Sequence, residues 1–134
     1  MTIRAKNRAL VAGSIMAVIA LAASLLPMIA ASDPYAVREI RIVVRGMAFY
    51  VDGGTEPNPA ITVRRGEKVR VRLRNEDPGM RHDFAIKAWT VATKILDDRG
   101  EEDAVSFRAP RQRGSQAYQC TPHAKIMSGV IRVE

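Results

Sequence analysis

The sequence predicts an all-β domain, a sandwich or barrel of short strands, preceded by an N-terminal apolar export or anchor helix. Three observations carry this. Val69, Val71 and Leu73 alternate with Arg70, Arg72 and Arg74, the period-two pattern of a strand with one face in a core and one in water. Further short β-branched runs recur along the chain, closed by turn clusters such as Arg45-Gly46 and Asp52-Gly53-Gly54. No stretch beyond residue 32 has a convincing amphipathic-helix period. At 134 residues the chain holds one domain with one core.

Residues 1–32 form the first segment. Arg4, Lys6 and Arg8 are its only charges, and residues 9–32 run through an apolar stretch to Pro27 and the small residues Ala30, Ala31 and Ser32. A basic start, an apolar middle and small residues before the first acid make an export signal, with cleavage after Ala31 or Ser32. The same uncharged stretch is long enough to span a bilayer as an uncleaved anchor. Ser24 and Pro27 weaken its last third as a spanning helix, which favours cleavage. In both cases the domain at 33–134 is expected in the periplasm, with membrane contact only through an uncleaved helix.

The strands follow in order. Residues 37–44 and 47–51 are the first two, then Ile61–Val63 and Lys68–Asn75. Phe84, Ile86 and Ala88 repeat the alternation after His82. Residues 89–99 are open to reading as strand, loop or one helical turn. Val105 and Phe107 offer a strand before Pro110, and residues 117–119 and 130–133 close the chain. Such short strands between turns point to antiparallel pairing.

Charge and rare residues exclude several functions. The net charge is +7, and without the three N-terminal bases 18 basic residues face 14 acidic ones. Spread over about a hundred residues, this bias falls short of the clustered basic face that nucleic acid requires. One cysteine excludes an intrachain disulfide, and two histidines leave little for acid–base catalysis.

Those rare residues form one constellation. Cys120 is followed by His123 and then by Met127, and the other histidine, His82, follows the loop at 75–81. An unpaired thiol in an exported protein oxidises or cross-links unless it is sequestered, and metal ligation keeps it as a bound thiolate. Thiolate, imidazole and thioether suit copper, whereas structural zinc would want four strong ligands. Taken singly, each of these residues is as well explained by packing. Two imidazoles, a thiolate and a weak methionine together describe a blue-copper centre.

The stretch 75–84, the run 118–127 (Tyr-Gln-Cys-Thr-Pro-His-Ala-Lys-Ile-Met) and the final Gly-Val-Ile-Arg-Val together resemble the cupredoxin family. The Cys-Thr-Pro-His tetrapeptide is similar to that of amicyanin, pseudoazurin and plastocyanin. Gly-Met-Arg-His-Asp-Phe is closer to the cupredoxin domains of cytochrome oxidase subunit two. The resemblance covers 33–134 and implies a Greek-key β-sandwich with one mononuclear type 1 copper at one end. It implies His82, Cys120 and His123 as equatorial ligands and Met127 as the axial one. A single cysteine departs from the binuclear oxidase site, and three residues separate His123 from Met127 where amicyanin has two and plastocyanin four. Asp83 stands where the plastocyanin group usually has Asn, and is expected to accept a bond from Thr121 and so join the two ligand loops.

The function implied is one-electron transfer without catalysis, since four protein ligands leave no open position for a substrate. The partner implied is a redox protein such as a cytochrome, an oxidase or a reductase. It would dock on Pro78, Met80, Pro122, Ala124 and Ile126 around the exposed edge of His123. The arginines of Lys68–Asn75 read as a solvated strand face. A second function remains open, copper binding and delivery with Met47, Met80 and His82 holding Cu(I) and with Met127 and His123 helping. So does a third, a copper-free structural module.

Overall fold

A computed structural model describes Asp33, residues 36–51 and residues 53–134. The export or anchor segment at 1–32 lies outside the described residues. Nine strands are described: β1 (Arg38–Arg45), β2 (Ala48–Val51), β3 (Ile61–Val63), β4 (Lys68–Asn75), β5 (Ala85–Ile86), β6 (Val91–Ala92), β7 (Glu102–Arg108), β8 (Gly114–Gln119) and β9 (Ser128–Val133). They form two sheets, ordered β2-β1-β4-β7 and β3-β9-β8-β5-β6.

Burial follows the pleat. Ile40, Ile42 and Val44 of β1 and Val69, Val71 and Leu73 of β4 point inward, while Arg70 and Arg74 are exposed. The opposite sheet contributes Ile61, Val63, Ile131 and Val133. Phe49, Phe84 and Tyr118 form an aromatic cluster in this core, with ring centroids 5.4 to 6.0 Å apart. The Tyr118 hydroxyl donates to the Pro59 carbonyl at 2.6 Å. Gly129 faces Tyr118 across the β8–β9 pair, and a Cβ there would lie 2.3 Å from the tyrosine ring. Only glycine lets that ring lie against β9.

The expected antiparallel pairing holds for most neighbouring strands but not for all. β1 pairs with β4 in parallel, as does β3 with β9. The chain leaves one sheet after β2, lays β3 in the other, and returns so that β4 runs beside β1 in the same direction. Such crossings are the Greek-key connection, and local alternation carries no trace of them. The alternation at 84–88 is a second correction. Phe84, Ala85 and Ile86 are buried in succession, and exposed Ala88 lies in a 3₁₀ turn at Lys87–Trp89. The open stretch that follows resolves into that turn, short β6, and a bridge from Leu96 back to His82. β7 and β8 begin earlier than the sequence suggested.

β1 and β2 meet in a two-residue turn at Gly46 and Met47, both with positive φ. Methionine is rarely found there, and its backbone is held from outside, as the metal centre shows.

Candidate metal centre

Two loops at one end of the sandwich build the site. The first leaves β4 at Asn75 and ends at His82, whose N–H and C=O both pair with the backbone of Leu96 at 2.9 and 2.7 Å. The second runs from Cys120 to Met127, between β8 and β9. Its neck is closed by the Cys120 N–H on the Met127 carbonyl at 3.0 Å. Its coil is closed by the Met127 and Ile126 N–H groups on the His123 carbonyl, at 2.9 and 3.0 Å. This winding lifts His123 back over Cys120.

The donor atoms converge. Cys120 Sγ lies 3.6 Å from His82 Nδ1 and 3.6 Å from His123 Nδ1, and the three ligand atoms fall within 4.8 Å of one another. Metal–nitrogen and metal–thiolate bonds of about 2.0 and 2.3 Å at a trigonal angle place sulfur and nitrogen ~3.7 Å apart, so the spacing fits one ion among three donors. His82 and Cys120 are fully buried and His123 is half-buried. Met127 is fully buried at the neck, tied to Cys120 through the backbone. The structure thus brings the three strong donors together and ties the Met127 backbone to that of Cys120.

Two carboxylates hold these donors in place. Asp77 Oδ2 lies 3.1 Å from His82 Nε2, and the same side chain accepts the Gly46 N–H at 2.6 Å and the Met47 N–H at 3.1 Å. With the proton on Nε2 directed at Asp77, the lone pair of Nδ1 faces the sulfur. Asp77 also explains how Met47 keeps a positive φ, because both amides of the β1–β2 turn end on it. Asp83, almost wholly buried, accepts the Thr121 N–H at 2.5 Å and links the first loop to the residue after Cys120. Arg81, beside it, pairs instead with Asp97 at 2.9 Å.

The electrostatics keep the buried donors uncharged. Burial pushes the Cys120 thiol up, which keeps it protonated at neutral pH in the metal-free protein. Burial pushes the His82 imidazole down, and Asp77 opposes this without reversing it. For Asp77, burial works upward, but the Met47 and Gly46 amides and His82 outweigh it and hold the carboxyl below its ordinary range.

With this geometry in view, the sequence match is specific: residues 57–134 match the plastocyanin/azurin family of copper-binding proteins. The chain belongs to that family. It is a cupredoxin, of a kind that binds one type 1 copper, and His82, Cys120 and His123 are its metal-competent donor set. No curated protein sequence matches the chain. Among solved structures it is similar to auracyanin A, a "blue" copper protein of Chloroflexus aurantiacus, at 19% identity and a TM-score of 0.58, over 74% of this chain and 100% of that one. Auracyanin of Roseiflexus castenholzii is similar at 21% identity and 0.58, over 72% and 96%. The multicopper oxidase McoA of Aquifex aeolicus shares the fold at 15% identity and 0.57, over 76% of this cupredoxin but only 27% of the oxidase.

Sequence reasoning missed Asp77. Its signal was weak, an Asp-Pro-Gly that reads as an ordinary turn five residues before a histidine. Around His123, residues 121–126 line one shallow depression in which Ile126 is 61% exposed. Pro78 and Met80, expected in the apolar patch around His123, lie on the neighbouring loop, the first exposed and the second half-buried.

Proposed function

We propose that this cupredoxin is a periplasmic one-electron carrier, with His82, Cys120, His123 and Met127 as ligands to a single type 1 copper. The observation that carries the proposal is the convergence of two imidazole nitrogens on one buried sulfur at equal distances of 3.6 Å. Bound copper would supply a Cu(I)/Cu(II) couple. Fast electron transfer asks that the ligands move little between the two states, and this chain's residues are arranged for that. Asp77 fixes the ring of His82, Asp83 fixes the separation of the loops, and the β8–β9 neck fixes Cys120 against Met127. His123 is the donor that leads to the surface. The depression formed by residues 121–126 offers a small, partly apolar contact for a redox partner such as a cytochrome, oxidase or reductase.

The buried setting of His82 speaks against exchangeable copper held with Met47 and Met80. His82 Nδ1 faces Cys120 and its Nε2 is engaged by Asp77, which leaves no free nitrogen for an outer site. The visible spectrum of the copper-loaded protein tests the assignment. An intense band near ~600 nm, the thiolate-to-copper transition of a blue site, is expected. A colourless protein that keeps Cu(I) and resists oxidation would support delivery, and no stoichiometric copper would support a structural module.

A further inference from the structure

Six of the basic residues that read as diffuse along the sequence are gathered at the end of the sandwich opposite the metal centre, whereas Arg81, Arg99 and Lys125 stand at the metal end among its acids. The turn at 64–67 packs there against the start of the β7–β8 loop. The Gly66 N–H donates to the Pro110 carbonyl at 3.2 Å, and the Arg108 guanidinium donates to the Gly66 carbonyl at 2.7 Å. The Arg65 N–H reaches the Glu134 carbonyl at 3.1 Å, and Lys68 stands opposite Arg108 in the β4–β7 register. Arg64, Arg65, Arg108, Arg111 and Arg113 are all exposed. Of the acids at this pole, Glu67 is taken up by Arg38 at 3.6 Å and by the Arg64 N–H at 2.7 Å, and Glu134 stands beside Arg65. The acids of the loops at 76–83 and 97–101 lie at the other end, as the Asn75 N–H on the Glu101 carbonyl shows. The domain is therefore polarised, with its positive pole away from copper.

The chain also enters the domain at this pole, because β1 begins with Arg38 and runs parallel to β4 toward the metal end. Where the uncharged stretch at 9–32 is kept as an uncleaved anchor, the reading on which this inference rests, only the five residues 33–37 separate it from β1, about 17 Å of chain at ~3.4 Å per residue. We propose that the pole formed by Arg64, Arg65, Lys68, Arg108, Arg111 and Arg113 docks on an anionic phospholipid surface. Each arginine or lysine near such a surface strengthens binding about fivefold, and several acting together hold a domain that a short tether already keeps close. Docked this way, the domain presents His123 and its depression away from the bilayer, open to a partner.

Trp89, the chain's only tryptophan, reports on this directly, since it lines a cleft at the same pole with Pro110 and Arg113. The full chain is reconstituted into nanodiscs of phosphatidylcholine, with or without phosphatidylglycerol, each carrying a headgroup-labelled quencher lipid. Quenching of Trp89 is expected in the anionic discs at low ionic strength, and its relief in ~0.5 M salt. Arg111→Gln with Arg113→Gln should lower the ratio of docked to free domain about thirtyfold. Equal quenching in neutral and anionic discs, or no effect of the double variant, would overturn the proposal. So would an unquenched Trp89 in both discs, and if soluble polyglutamate then shifted its emission, the pole would belong to an acidic protein instead. The tryptophan signal is read separately from the copper band, so failure here is distinct from failure of the electron-carrier reading.

Discussion

Replacing Asp83 by alanine removes the side chain that joins the two loops of the metal centre. Its Oδ1 accepts the Thr121 N–H at 2.5 Å and the residue is only 4% exposed, so the bond is short, charge-assisted and largely shielded from water. Leaving a donor of this kind unmet costs about 1–3 kcal/mol. Thr121 itself is exposed, so water recovers part of the loss, and about 1–2 kcal/mol remains. Thr121 adjoins Cys120, so the loss falls on the geometry of the donor set. At 1.4 kcal/mol per factor of ten, copper should leave roughly 5–30 times faster, overlapping the ~10–100-fold effects found when groups supporting a metal ligand are removed. The assay follows decay of the visible band in excess chelator, alongside thermal melting of the metal-free protein. Asp83→Asn should stay close to the parent, because the amide oxygen still accepts the Thr121 N–H. Equal copper release from the parent and Asp83→Ala would refute the link between the loops.

Four other outcomes are expected. Cys120→Ser should fold but lose the intense visible band, as an oxygen cannot supply the soft covalent bond, and a surviving band would mean the thiolate is misassigned. Met127→Leu should keep copper and raise the reduction potential, because losing a weak sulfur donor destabilises Cu(II) more than Cu(I), and an unchanged potential would place Met127 off the metal. Because burial raises the Cys120 thiol, copper binding must displace its proton, so apparent affinity should climb about tenfold per pH unit through neutrality in competition titrations. Burial lowers His82 below its ordinary 6.5, so the unfolded chain binds more protons just below that pH. The metal-free protein should therefore lose thermal stability as pH falls from about 6.5, with Asp77 adding to the loss at lower pH.

What the sequence disclosed and what it hid divide by range. The β4 strand was legible because its alternation is local, and so was the Cys120–Met127 loop, whose three chemically distinct donors lie within eight residues. Asp83 was legible through its place beside His82 and the family pattern, and the structure sets it on Thr121. The parallel pairing of β1 with β4 was hidden, since it depends on how the chain crosses between sheets. Asp77 was hidden for the same reason, as its partners Gly46 and Met47 lie some thirty residues upstream. The basic pole was hidden because Arg64, Arg108 and Arg113 come together only when the turn at 64–67 meets the β7–β8 loop.

Asp77 and Asp83 also decide what sets the geometry of the site. Each is anchored to backbone amides outside the donor set, Asp77 to the β1–β2 turn and Asp83 to Thr121. Neither anchor depends on a metal. The spacing of 3.6 Å from sulfur to each imidazole nitrogen is therefore imposed by the scaffold, at the cost of keeping a protonated thiol buried between two rings. Donors held by the scaffold's own hydrogen bonds would resist rearrangement when a bound metal changed charge. On the proposed reading as a one-electron carrier, that resistance would rest on two carboxylates outside the donor set.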